Sequence, residues 1–171
     1  MDILLGCLVG VIVLFGFVVF FGAPYVPSRQ KHLEYAFDKL YRLSGKDLLL
    51  DLGSGDGKVL REAARRGARA VGFELNPLLV FIANLLSKDK RKAVSHVANI
   101  WTKPFPAETT VVYIFGDSRD IEKLEKRISH EAARLERKLY VMSYGFKLPN
   151  HTAKKHLAAY YLYEIKPLQP R

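Results

Sequence analysis

Gly53, Gly55 and Gly57 fall at every second position in residues 51–57, DLGSGDG, with Asp51 and Asp56 beside and among them. Glycine reaches positive φ at no steric cost and lets backbone amides close on a ligand. A phosphate loop would exploit the same property. However, neither GxxxxGKS nor GxxxxGKT occurs, and residues 53–58, GSGDGK, do not fit GxGxxG. Two acids in such a loop would repel a pyrophosphate and would suit a ligand carrying positive charge. A third acid, Glu74, ends the run RAVGFE, and Asp117 lies in FGDSRD.

These residues need elements to hold them. DLLLD, residues 47–51, is apolar on both faces and reads as a buried strand, with the glycines at its carboxyl end. The sequence predicts a helix over 58–66 that stops at Gly67, then a strand over 69–74 ending on Glu74. Asn76 caps and Pro77 starts a third segment, a helix to about residue 90. AVSHVAN (93–99) and TTVVYIF (109–115) read as the third and fourth strands. Asp117 or Ser118 caps a charged helix to about residue 134. RKLYVMSY (137–144) is a fifth strand, and HLAAYYLYEI (156–165) alternates loosely as a sixth. Upstream, Leu33, Ala36, Phe37, Leu40 and Tyr41 have helical spacing over 31–43, ended by Ser44 and Gly45. Alternating strands and helices imply right-handed crossovers. The fold class expected is α/β, a Rossmann-like, mostly parallel sheet with helices on both faces. Ligands of such sheets sit beyond the carboxyl ends of the strands.

The chain has 171 residues, 49% of them hydrophobic and 26% charged, which fits one globular domain rather than disorder. Its formal net charge is +10, and every Lys and Arg follows residue 28. A surface so basic favours anionic partners or lipid proximity. The one cysteine, Cys7, allows neither a disulfide framework nor a cysteine zinc site within one chain, and no metal is expected.

Ile3 to Gly22 carry no charge. As a helix they would span about 30 Å, the thickness of a bilayer's hydrocarbon core. A cleaved signal peptide would show a basic start, whereas Asp2 stands there, so a retained single-pass anchor is expected. Arg29, Lys31, Lys39, Arg42 and Lys46 follow the span and place the domain on the cytoplasmic side. The expected organisation is an anchor over 1–23, a linker and helix over 24–45 and the main domain over 46–171. A bilayer contact through residues 3–22 is implied.

DLGSGDGKV resembles motif I of the seven-strand, class I methyltransferases that use S-adenosyl-L-methionine (SAM), and GFELNP looks like their acidic ribose motif. Glu74 follows Gly57 by 17 residues, a length that one helix and one strand can take up. The resemblance implies SAM as cofactor, with its ammonium and sulfonium beside the acids. It places Asp51, Gly53, Ser54, Gly55, Asp56, Gly57 and Asn76 at the cofactor and gives Glu74 both ribose hydroxyls. In VANIW it puts Asn99 and Ile100 or Trp101 beside the adenine. In YIFGD it puts Phe115 at the methyl-transfer site, with Asp117 as candidate catalytic carboxylate; a helix cap is the alternative for Asp117.

APYVPS, ahead of the domain and behind the apolar stretch, narrows the resemblance. It looks like the membrane-associated protein-lysine methyltransferases of mitochondria and their prokaryotic relatives, whose mitochondrial members modify the adenine nucleotide translocase and the c-ring protein of ATP synthase. Tyr25, Val26, Pro27 and Ser28 match that family's lid over the methionine end of the cofactor. Two departures stand out. The chain after the fifth strand leaves little room for a closing hairpin, and FGDSRD differs from the family's run after the fourth strand.

Three functions fit. The first is a membrane-anchored methyltransferase acting on a lysine of a membrane protein. The second is an RNA or small-molecule methyltransferase, favoured by the charge and by KDKRK (88–92). The third is a SAM-binding membrane protein without catalysis. FGDS stands where nucleobase-amine methyltransferases carry an Asp or Asn followed by two prolines and an aromatic residue, which argues against that chemistry.

Overall fold

The computed structural model describes residues 5–6, 9–10, 30–115 and 118–167. The first helix, α1, is Gln30–Lys39. Strand β1 (Leu48–Leu52) leads to α2 (Lys58–Arg65), β2 (Arg69–Glu74), α3 (Pro77–Leu86), β3 (Ala93–Val97) and β4 (Val111–Phe115). A 3-10 turn, Ser118–Asp120, precedes α4 (Ile121–Arg134), β5 (Leu139–Tyr144), β6 (Lys155–Leu157) and β7 (Tyr160–Ile165).

The strands form one seven-stranded sheet in the order β3-β2-β1-β4-β5-β7-β6. All pairs are parallel except β5–β7 and β6–β7. Because β1 lies between β2 and β4, the crossover direction reverses there and opens a crevice at the strands' carboxyl ends. One face of the sheet is covered by Leu33, Phe37 and Leu40 of α1 and Val59, Leu60 and Ala63 of α2. The other is covered by Leu124, Ile128 and Ala132 of α4. Full burial of Leu33, Phe37 and Ile128 stabilises these layers by about 1.5–3 kcal/mol per side chain.

The expected closing strand is instead two. β6 and β7 form a hairpin that completes the sheet, so the chain after β5 has room for it after all. The turn is Ala158-Ala159, with Ala158 at φ 51°, a conformation alanine rarely takes. The helix expected over 31–43 ends at Lys39. Beyond it, the buried Asp47 carboxylate accepts from the Tyr41 hydroxyl, from the Ser44 amide and hydroxyl and from Thr110 Oγ1, and so pulls residues 41–47 out of helical geometry. Helix α3 stops at Leu86 rather than near residue 90, because Ser87 turns to extended geometry and its hydroxyl donates to the Ala93 carbonyl. The helix after β4 begins at Ile121; Asp120 precedes it and makes no side-chain cap bond.

No helix among the described residues is long and apolar enough to cross a membrane. The uncharged stretch 3–22, apart from Leu5, Gly6, Val9 and Gly10, lies outside the described residues. So do the lid residues Tyr25, Val26, Pro27 and Ser28, and Asp117.

Candidate active site

The glycine loop leaves β1 and doubles back over the end of β2. The amides of Gly53 and Ser54 both donate to the Phe73 carbonyl, at 2.8 and 3.1 Å, and the Gly57 amide closes on Ser54 at 2.8 Å. Gly53, Gly55 and Gly57 have φ of 90°, 52° and 77°. Gly53 needs that freedom, while the space where its side chain would stand is open. At Gly57 a Cβ would come within 2.8 Å of the Ala83 Cβ, so α3 packs directly against the loop.

Two further residues hold the loop, and the sequence reading missed both. Ser54 Oγ and Ser95 Oγ of β3 lie 2.8 Å apart. Ser54 thus passes over Gly72, where a Cβ would sit 2.4 Å from Ser54 Oγ. A glycine inside an otherwise regular strand is the signal for such close approach.

Glu74 ends β2 with its carboxylate bridging two backbone amides, Gly55 at 2.9 Å and Asn76 at 2.9 Å. It therefore ties the glycine loop to the start of α3. Asn76 is buried and spends its Oδ1 on the Leu78 amide at 2.9 Å; it caps α3 and does not turn its side chain into the crevice. Asp56 accepts from the Lys58 amide and pairs with Arg61 at 3.3 Å.

Asp51 differs from both neighbouring acids. It is 3% exposed and shares a register row with Gly72 and Tyr113. No described group donates a hydrogen bond to it. Burial, then the charges of Glu74 and Asp56, hold its carboxyl well above the ordinary aspartate range. A buried acid without a cation is costly. A cation placed beside it would relieve that cost and restore its charge.

On the far side of the crevice, β3 ends at Val97. Asn99 is exposed, and its Oδ1 accepts from the Trp101 amide at 2.9 Å, so its side chain serves the turn. Ile100 and Trp101 pack against the α4-side core. Arg127 of α4 fixes this loop through the carbonyls of Ile100 (3.1 Å) and Lys103 (2.7 Å).

Phe115 ends β4, one residue beyond the Leu52–Ile114 pair and so beside Gly53. Its ring stands edge-on to Tyr144 at 4.9 Å, and Tyr144 meets Tyr160 at 4.5 Å. Burial pushes the Tyr160 phenol up to about 12. Its hydroxyl is buried without a partner at hydrogen-bond geometry among the described residues, although Tyr113 is near enough to pull that value down a little. The sequence reading took Tyr144 and Tyr160 only as strand residues. The structure brings Asp51, Gly53, Ser54, Gly55, Asp56, Gly57, Glu74, Ile100 and Phe115 to one end of the sheet.

A seven-stranded sheet of this order, with a glycine loop after β1 and an acid ending β2, defines a class I, SAM-dependent methyltransferase fold. Residues 51–155 match the family described as the ANTKMT methyltransferase domain, and the chain belongs to that family. It is 33% identical over 132 residues to the lysine N-methyltransferase of the ATP synthase c-ring protein from Xenopus laevis, covering 74% of this chain and 55% of that protein. The human enzyme of the same name gives 33% over 132 residues, covering 75% and 54%. An adenine nucleotide translocase lysine N-methyltransferase from Mus musculus is 43% identical over 63 residues, covering 36% and 27%. The chain thus spans about half the length of the first two relatives. Among solved structures, an RNA methyltransferase from Salinibacter ruber in complex with S-adenosyl-L-homocysteine superposes with a TM-score of 0.72 at 25% identity, covering 85% of this chain and 97% of that one.

Proposed function

We propose that this protein transfers a methyl group from SAM to the ε-amine of a lysine on a membrane protein. The observation that carries the reading is the likeness, over three quarters of the chain, to proteins named as lysine N-methyltransferases of the ATP synthase c-ring protein. The site supports it. The buried, uncompensated Asp51 beneath an open glycine loop suits the positive methionine end of the cofactor. Glu74 would exchange its amide contacts for, or share them with, the ribose hydroxyls. Ile100 would flank the adenine; Asn99, whose side chain already serves its own turn, would contribute through the loop backbone.

The acceptor must first lose a proton, because an ammonium has no lone pair. Its nitrogen then forms the N–C bond in line with the breaking C–S bond, whose electron pair stays on sulfur. The products are a methylammonium and a neutral thioether. The protein's part is to align the amine and exclude water. Phe115 and Tyr144 offer ring faces that attract the cationic amine before deprotonation and after methylation. Tyr25 as a lid and Asp117 as an orienting carboxylate belong to the same proposal. So do residues 3–22 as an anchor, with the domain on the cytoplasmic side.

The Salinibacter ruber likeness and the +10 charge favour a second reading, RNA methylation. Tritiated SAM, the purified protein and a membrane extract separate the two. Label released by protease and resistant to RNase supports the lysine reading; label released by RNase overturns it. No transfer, with SAM binding intact, would leave a binding protein without catalysis.

A further inference from the structure

Helix α3 has an apolar exterior. Its sequence is PLLVFIANLL, and only Val80 and Ala83 among its apolar residues are buried. Asn84 fixes its orientation. Asn84 Nδ2 donates to the Ser95 carbonyl at 2.9 Å, and its Oδ1 accepts from the Ser95 amide at 2.8 Å. The helix is thereby clamped along the outer edge of β3, the last strand on that side. What faces outward is Phe81, 63% exposed, and Leu85, 69% exposed, one turn apart, with Leu86 beside them and Leu75 and Val97 at the flanks. A soluble helix would carry polar groups there.

The sequence changes character immediately after the helix. Lys88, Lys90, Arg91 and Lys92 are all exposed, against a single acid, Asp89, which pairs with Arg91 at 3.4 Å. An apolar helix face bordered by clustered cations matches the two-part chemistry of an anionic bilayer surface, with acyl chains below and headgroup charge above. A protein partner would have no need of the basic border.

The geometry points to α3 and the 88–92 turn as a docking surface that seats the domain on an anionic membrane, independently of any anchor in residues 3–22. Phe81 and Leu85 enter the acyl boundary and the basic turn binds headgroup phosphates. The consequence reaches the crevice. Helix α3 begins at Pro77, three residues after Glu74, and is ten residues or about 15 Å long. Docking therefore sets the mouth of the site close to the bilayer plane. The surface does not depend on which acceptor is methylated.

The test uses the full chain reconstituted in vesicles of phosphatidylcholine, with or without phosphatidylserine, whose acyl chains are brominated near the carbonyl end. Trp101 is the one native tryptophan and supplies the baseline. Phe81→Trp adds a probe on the outer face of α3, and Leu85→Trp repeats the reading should position 81 fold poorly. We expect the added emission to be quenched to about half or less in vesicles containing phosphatidylserine, since an interfacial side chain sits among the upper acyl carbons. Most of that quenching should be lost in vesicles lacking phosphatidylserine, in high salt, or when Lys88, Lys90, Arg91 and Lys92 are all replaced by glutamine. Quenching no greater than that of Trp101 would overturn the proposal. So would quenching indifferent to lipid charge and to the four substitutions. Cross-linking of Phe81→Cys to a second copy or to residues 1–29 would also overturn it, by assigning the face to protein.

Discussion

Replacing Asp51 by asparagine removes a buried negative charge without changing the side chain's shape. In the free protein Asp51 is 3% exposed, no described group donates to it, and Glu74 and Asp56 repel it. Its folded pKa lies above its unfolded one. The folded state therefore binds more protons between the two values, and the free protein loses stability as pH rises from the unfolded pKa through the raised folded one. Asparagine abolishes that loss, so the variant should melt higher than wild type at neutral pH, and the gap should close in acid. With cofactor the order reverses. A hydrogen bond or ion pair to a charged group contributes about 1.5–3 kcal/mol, so SAM should bind the variant about 10- to 150-fold more weakly. Wild-type affinity should also fall as pH drops through the raised pKa, because protonated Asp51 attracts no ammonium, while the variant's affinity stays flat there. Differential scanning fluorimetry across pH, with and without SAM, and titration calorimetry read both effects. A lower melting temperature for the free variant, or unchanged SAM affinity, would refute the reasoning.

Glu74→Ala removes the acceptor of the Gly55 and Asn76 amides as well as the proposed ribose contact; calorimetry should show SAM affinity reduced by about 1–3 kcal/mol. Gly72→Ala forces a Cβ to within 2.4 Å of Ser54 Oγ and 2.8 Å of a Leu60 methyl, and denaturant unfolding should show a loss of about 1–3 kcal/mol, partly recovered by Ser54→Gly. Arg127→Ala frees the Ile100 and Lys103 carbonyls, so amide exchange should speed up in residues 99–103 and SAM affinity should fall by about 1 kcal/mol per lost bond.

The fold was most legible where the signal is local. β2 runs over the six residues RAVGFE as expected, and Asn76 with Pro77 marks the start of α3 as capping chemistry requires. The glycine loop announced the crevice because three glycines at alternate positions serve little else. What escaped depended on distant partners. Helix α1 ends early because Asp47 gathers Tyr41, Ser44 and Thr110, a choice no local pattern records. The β6–β7 hairpin turns on two alanines, so the usual glycine or asparagine signal is missing. Asn76 and Asn99 are of the types a ligand would use, yet each spends its Oδ1 on a nearby backbone amide. Tyr144 and Tyr160 join Phe115 only once β5 and β7 pair.

The central claim is lysine methylation of a membrane protein, and the most direct test is mass spectrometry of membrane proteins from cells with and without this protein. We predict that methylation disappears from a lysine of an integral membrane protein when the protein is absent, and returns with wild type but not with Asp51→Ala. Unchanged lysine methylation throughout the membrane fraction, alongside loss of a methyl mark on RNA, would contradict it.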